Sequence, residues 1–133
     1  MAVTGWLVDN SVAARRSDPT IGRQLELVAE PLHLCPVGQL EQLYSARSAS
    51  DYDALLTLMV SRMRLVEAPA DLFERALRLQ RNLAHHHGLW HRIPIPDLLI
   101  AETALFHGLG VLHVNGDYDR IREVRPLVTR RLG

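Results

Sequence analysis

At 133 residues, 47% hydrophobic and 23% charged, the chain has the size and composition of one folded domain, 1–133, with one core. Fifteen basic residues balance fifteen acidic ones for a formal net charge of +0, which excludes a global attraction to nucleic acid or membrane and leaves only local patches. All the basic residues are arginine, and the absence of lysine excludes a Walker phosphate loop and any lysine base or Schiff base.

The single cysteine, Cys35, has no partner for an internal disulfide and sits in the apolar context LHLCPV, so a buried thiol in a reducing cytoplasm is expected. No apolar run reaches the length of a bilayer span, and no basic segment followed by a long apolar stretch suggests a secretory leader.

Trp6-Leu7-Val8 is a short apolar run that breaks at Asp9-Asn10-Ser11, the pattern of a buried strand delivering Asp9 into a turn. Residues 25–29 read as helical, and 32–37 as a second strand interrupted by Pro36. A helix is expected over 39–48, with Leu40, Leu43 and Tyr44 at helical spacing and Glu41, Ser45 and Ser48 on a separate polar face. Asp51 and Asp53 open a helix to Arg62 whose buried residues are read as Leu55, Leu56, Met59 and Val60; Leu65-Val66 suggests a third strand. The longest helix is expected over 70–87, with an inner stripe of Leu72, Phe73, Ala76, Leu77, Leu83 and Ala84, and with Gly88 as its stop.

After Pro94 and Pro96, Asp97 starts a helix to Phe106, where an aspartate also suits capping. Gly108 ends it, 111–114 is a strand, 115–119 turns into a short helix, and Leu127-Val128 suggests a last strand. Strands alternating with helices imply an α/β fold, a mostly parallel sheet covered on both faces.

The acids then acquire a pattern. Asp9 and Asp117 follow strands, and Glu41 and Asp97 lie near helix starts. Ligands of open parallel sheets collect outside the carboxyl ends of the strands. Four carboxylates converging there repel one another unless cations join them, and hard oxygen donors suit Mg²⁺ or Mn²⁺. One or two such ions can activate water and stabilise a phosphodiester under in-line attack.

The stretches LVDNSV, CPVGQLEQLYSARS and HRIPIPDLLIAETALFHGLGVLHVNGDYDRI, in that order, resemble the PIN-domain ribonucleases, specifically the VapC-type toxins of bacterial toxin–antitoxin pairs. The resemblance covers nearly the whole chain. It implies a doubly wound α/β fold, Mg²⁺- or Mn²⁺-dependent cleavage of RNA leaving a 5′-phosphate and a 3′-hydroxyl, and a homodimer. It also implies neutralisation by a small VapB-type antitoxin whose arm crosses the acidic groove, where an arginine can pair with the carboxylates and displace metal. Residue by residue it assigns Asp9, Glu41, Asp97 and Asp117 to catalysis and metal binding. Asn10 and Ser11 match positions that order the site. Where many relatives carry an acid, this chain has the neutral Asn115, with Asp117 two residues on; Asn115 and Asp119 are supporting candidates. Asn115 also motivates the alternative, a catalytically weak PIN domain acting as a binding module in a toxin–antitoxin repressor complex. Glu102, five positions past Asp97, points off the acid face as a surface or hydrogen-bonding residue.

The run His85-His86-His87 invites a metal site, but neighbouring helical residues point about 100° apart, so three consecutive rings do not converge on one ion. These histidines instead favour the negative end of the helix dipole. With Arg78, Arg81, His91 and Arg92 they read as a basic lip leading to Asp97, suited to an RNA backbone. Trp6 reads as core, while Trp90 and Tyr44 are open to base stacking. A phosphatase of the haloacid dehalogenase type is disfavoured, because Ser11 stands where its second acid belongs and lysine is absent.

Overall fold

The computed structural model describes residues 2–133. Five strands, β1 (Trp6–Val8), β2 (Leu32–Leu34), β3 (Arg64–Leu65), β4 (Gly110–His113) and β5 (Thr129–Arg131), form one all-parallel sheet in the order β3-β2-β1-β4-β5. The helices are α1 (Asn10–Ala13), α2 (Pro19–Glu26), α3 (Pro36–Tyr44), α4 (Ala49–Arg62), α5 (Leu72–His86), α6 (Ile95–His107) and α7 (Asp117–Arg122), with a 3₁₀ turn at Trp90–Arg92. The chain winds outward from β1 to β3, then crosses back and lays β4 on the other side of β1. The order therefore reverses between β1 and β4, and the crevice at their carboxyl ends is the binding position of a doubly wound sheet.

Alternation along β1 divides the core. Leu7 joins Leu79 and Leu83 of α5, Leu98 and Ala101 of α6, and Tyr118 and Ile121 of α7. Trp6 and Val8 point the other way, to Val12 of α1, Ile21 of α2 and Met59 of α4. Trp6 is core, as expected, and its indole Nε1 donates to Glu30 at 2.9 Å. Cys35 is a buried free thiol.

Several expected boundaries move. The helix before β2 starts at Pro19, because Asp18 accepts from the Thr20 and Ile21 N–H groups and proline fits the first helical position. Pro36 opens α3 for the same reason and does not interrupt a strand; β2 ends at Leu34 and α3 at Tyr44. The last strand lies at 129–131, not at 127–128, and Leu127 is buried ahead of it.

On α5 the buried stripe is Leu72, Ala76, Leu79 and Leu83. Phe73 and Leu77, expected inside, are exposed, as are Ala84 and, on α4, Val60. Two apolar stripes run side by side on α5, and packing against α6 selects one. Nor is Gly88 the left-handed stop: His87 is extended, and Leu89 takes φ 63°. Gly108 ends α6 as expected, at φ 67°.

Candidate active site

Asp9 leaves the end of β1 and caps α1. It is 3% exposed, and its carboxylate accepts from the Ser11 N–H at 3.0 Å and from the Tyr118 hydroxyl at 2.7 Å. Ser11 in turn accepts from the Val114 N–H at 3.0 Å, tying the ends of β1 and β4 together. From α3 the Gln42 amide donates to the Val8 carbonyl at 3.4 Å, one residue before Asp9. Glu41, next on that helix, is half-buried, and its Oε1 is buried with no hydrogen-bond partner. Burial and then the charge of Asp9 raise its pKa.

Asp97 sits in the first turn of α6 and is 5% exposed. It caps nothing with its side chain; the cap position is Pro94, and no side-chain cap bond forms. Its carboxyl is pushed up to about 8, first by burial and then by the negative charges of Asp9, Asp117 and Glu41, with a hydrogen-bonding interaction from the Asp117 carboxyl adding to the rise. Asp117 opens α7, and its N–H donates to Asn115 Oδ1 at 2.9 Å. Asn115 is thereby engaged as a turn cap that orients Asp117.

The acids expected at the site are thus within electrostatic reach of Asp97, each delivered by a different element. All donors are hard oxygens, Glu41 Oε1 is unsatisfied, and Asp97 holds a proton at neutral pH for want of a counter-charge. The chemistry of this donor set suits a hard divalent cation. As they stand, no three His, Cys, Asp or Glu side chains among the described residues are placed so that they could hold a metal ion.

The sequence profile of the PIN domain matches residues 3–124. The chain belongs to the PIN-domain family. Among its relatives, ribonuclease VapC17 of Mycobacterium tuberculosis is 49% identical over 127 residues, spanning 93% of this chain and 92% of the relative. Ribonuclease VapC18 of the same organism is 39% identical over 122 residues, covering 90% and 88%. The fold superposes on a chain of VapBC2 from Rickettsia felis bound to a promoter DNA fragment, with TM-score 0.75, 16% identity and 96% and 98% of the two chains covered. It also superposes on a chain of VapBC-1 from nontypeable Haemophilus influenzae, with TM-score 0.76, 14% identity and 96% and 97% coverage.

Other expected residues of this PIN domain are placed differently. Asn10 lines a cleft with Gln42 and Ser45, and Asp119 is exposed on α7. The basic lip divides. His91 and Arg92 lie in the 3₁₀ turn leading into α6, with His91 Nδ1 buried and unpartnered. Arg81 is exposed on α5, whereas Arg78 faces a separate cleft with Glu102 and Arg125. His86 and His87 surround half-buried Trp90, the His87 ring stacked at 5.0 Å, and the Arg120 guanidinium lies 5.8 Å from the indole centroid. Tyr44, three residues after Glu41, is 89% exposed. No histidine metal cluster forms among the described residues.

Of the two roles expected for Glu102, surface or hydrogen bonding, the structure gives it the second. It is 2% exposed and accepts twice from Arg125, at 3.1 and 3.3 Å. Sequence reasoning missed two residues that order the site. Tyr118 is fully buried and holds Asp9. His113, also fully buried, places Nδ1 2.6 Å from the Asn115 carbonyl, which can only accept, so Nδ1 carries the proton. The available signal was position: Tyr118 lies between two acids, about 100° round α7 from Asp117 and so turned inward.

Proposed function

We propose that this PIN domain is a toxin endoribonuclease of the VapC type, hydrolysing RNA phosphodiesters with Mg²⁺ or Mn²⁺ held by Asp9, Glu41, Asp97 and Asp117. The observation that carries the reading is Asp97: a buried carboxyl facing three other acids, with no capping role to explain it. Relatives named ribonucleases, at 49% and 39% identity, supply the substrate class. The bound ion supplies charge neutralisation and Lewis acidity toward the phosphodiester oxygens.

The chain's own residues prepare that chemistry. Ser11 N–H and the Tyr118 hydroxyl hold Asp9 in one orientation. Asn115 fixes the start of α7 and hence Asp117. Glu41 offers a free oxygen. Asp97 would hold a cation only once deprotonated, so cation binding would become easier as pH rises toward about 8. His91 and Arg92 stand on the segment leading into Asp97 and suit the incoming RNA backbone.

The partner proposed is a VapB-type antitoxin, because solved structures that share the fold include VapBC-5 of Mycobacterium tuberculosis, a member of the VapBC family of toxin–antitoxin systems, and a toxin–antitoxin complex from Klebsiella pneumoniae. An arginine from it can neutralise the acids in place of metal. The compartment proposed is the cytoplasm, and the assembly a homodimer. Among the described residues, no helix is long and apolar enough to cross a membrane.

The test is cleavage of total cellular RNA by antitoxin-free protein with Mg²⁺ or Mn²⁺. Discrete cuts that vanish with EDTA and in Asp97→Ala are expected. Uncut RNA with both metals, from folded protein, overturns the enzyme reading in favour of the binding module. That second reading rests on the neutral Asn115, and Asn115→Asp then tests it by gain of cleavage.

A further inference from the structure

On the side of α6 away from the carboxylates, a cavity of about 300 Å³ opens between α5, α6 and the chain following α7. Arg75, Arg78, Leu79 and Asn82 of α5 line it, with Glu102 of α6 and Arg125. Two of the three guanidiniums are already fixed. Glu102 accepts from Nε and Nη2 of Arg125, which leaves the remaining N–H groups of that fork unclaimed by Glu102. Asp71 accepts from Nε of Arg75 at 2.7 Å. Arg78 makes no salt bridge among the described residues, although Asp71 is near enough to feel its charge.

Glu102 offsets Arg125 and Asp71 offsets Arg75, so the lining keeps the positive charge of Arg78, with an uncharged amide donor, Asn82, beside it. The forks of Arg75 and Arg125, already held by acids, lose little freedom on meeting a tetrahedral anion, while the exposed Arg78 is free to close on it, and the paired fork geometry of arginine suits phosphate oxygens. The cavity is distinct from the catalytic site. Glu102 lies five residues after Asp97, a rise of about 7.5 Å and a turn of about 140° round the helix.

We infer that this cleft is a phosphate-binding pocket, built by Arg78, Arg75 and Asn82 on the Glu102–Arg125 floor, that grips a phosphodiester of the RNA outside the cleavage site. The RNA source rests on the ribonuclease reading; the phosphate chemistry does not. An exosite of this kind gives an electrically neutral protein a local hold on a polyanion, on the order of 10 Å from the carboxylates.

The experiment measures RNA binding by fluorescence anisotropy in EDTA, so that nothing is cut. In parallel, inorganic phosphate is titrated while the Asn82 side-chain amide is followed by NMR. Arg78→Ala is expected to weaken RNA binding roughly tenfold and to flatten the salt dependence by about one unit of slope. Arg78→Glu should weaken it further, Arg78→Lys should restore part of the affinity, and Asn82→Ala should have a smaller effect. Arg23→Ala, on the opposite face of the sheet, should bind as wild type does, and thermal melts verify folding throughout. In wild type the Asn82 amide resonances should move with phosphate, and in Arg78→Ala they should not.

Unchanged RNA affinity with phosphate shifts lost in Arg78→Ala upholds the pocket and assigns it to free phosphate. Wild-type behaviour of Arg78→Ala and Arg78→Glu toward both RNA and phosphate overturns the pocket. Absence of RNA cleavage by wild type with metal sinks the ribonuclease reading alone, since the phosphate titration still decides the pocket.

Discussion

Asp97 and Glu102 lie on the same helix and are 5% and 2% exposed, yet their surroundings are opposite. Glu102 meets a bidentate arginine, so its burial is compensated within the chain. Asp97 meets Asp9, Asp117 and Glu41, and holds a proton up to about pH 8. A buried acid with its counter-charge built in is structural; a buried acid among acids waits for a cation from outside. The difference separates the working end of α6 from its supporting face.

The sharpest way to break the contrast is Asp97→Asn. RNA cleavage should fall at least about a hundredfold, because one anionic ligand is lost where transition-state charge is neutralised. Stability should respond in the opposite sense. The folded-state pKa of Asp97 lies above its ordinary value of 3.8, so its contribution is fully present below about pH 4 and is lost as pH rises through about 8. Metal-free wild type should therefore melt lower at pH 8.5 than at pH 5.5. Asp97→Asn should remove most of that difference, and Mg²⁺ or Mn²⁺ should raise the melting temperature of wild type at the higher pH. A wild-type melting curve indifferent to both pH and metal would break the contrast.

Arg125→Ala attacks the other member of the pair. It strands Glu102 in the interior and should cost about 3 kcal/mol in denaturant titration, at the low end for a buried pair because the Arg125 side chain is 33% exposed. Replacing both partners, as Glu102→Leu with Arg125→Met, should recover much of that loss. If the single and double variants are equally unstable, the ion pair is not what compensates Glu102.

Tyr118→Phe probes the hydrogen bond that orients Asp9. About 1.5 kcal/mol of stability should go with the hydroxyl, and cleavage should need several-fold more metal. Activity unchanged at limiting metal would remove Tyr118 from the site. The smallest effect concerns the turn before the active helix. Leu89→Gly should raise stability by about 0.5–1 kcal/mol, because glycine accepts the left-handed conformation that leucine holds at φ 63°. Cleavage should not change.

Much of the site was legible because its residues stand at element ends. Asp9 after Trp6-Leu7-Val8, Asp97 after Pro94 and Pro96, and Asp117 after the 111–114 run all sit where local pattern changes, and these changes survive errors of a few residues in the boundaries. Glu41 entered by its place near a helix start, and the resemblance then matched it to the family's helix acid. Phe73 and Leu77 misled because two apolar stripes on α5 have equal helical spacing. Pro36 misled because proline can end a strand or open a helix. The histidine run was read as a helix end and not as a metal site, and His86 and His87 pack around Trp90.

By itself, the sequence determined the parallel α/β class, the positions of the acids relative to strands and helices, and the family. The class and the positions follow from periodicity and local punctuation, which act over a few residues; the family follows from the resemblance of three motifs in their order. Only the tertiary structure decided that the acids come within electrostatic reach of Asp97, that Tyr118 and Ser11 hold Asp9, and that Glu102 is neutralised while Asp97 is not. Those outcomes depend on contacts such as Tyr118 to Asp9, across a sequence separation of 109 residues, and on which face of α6 turns toward the other acids.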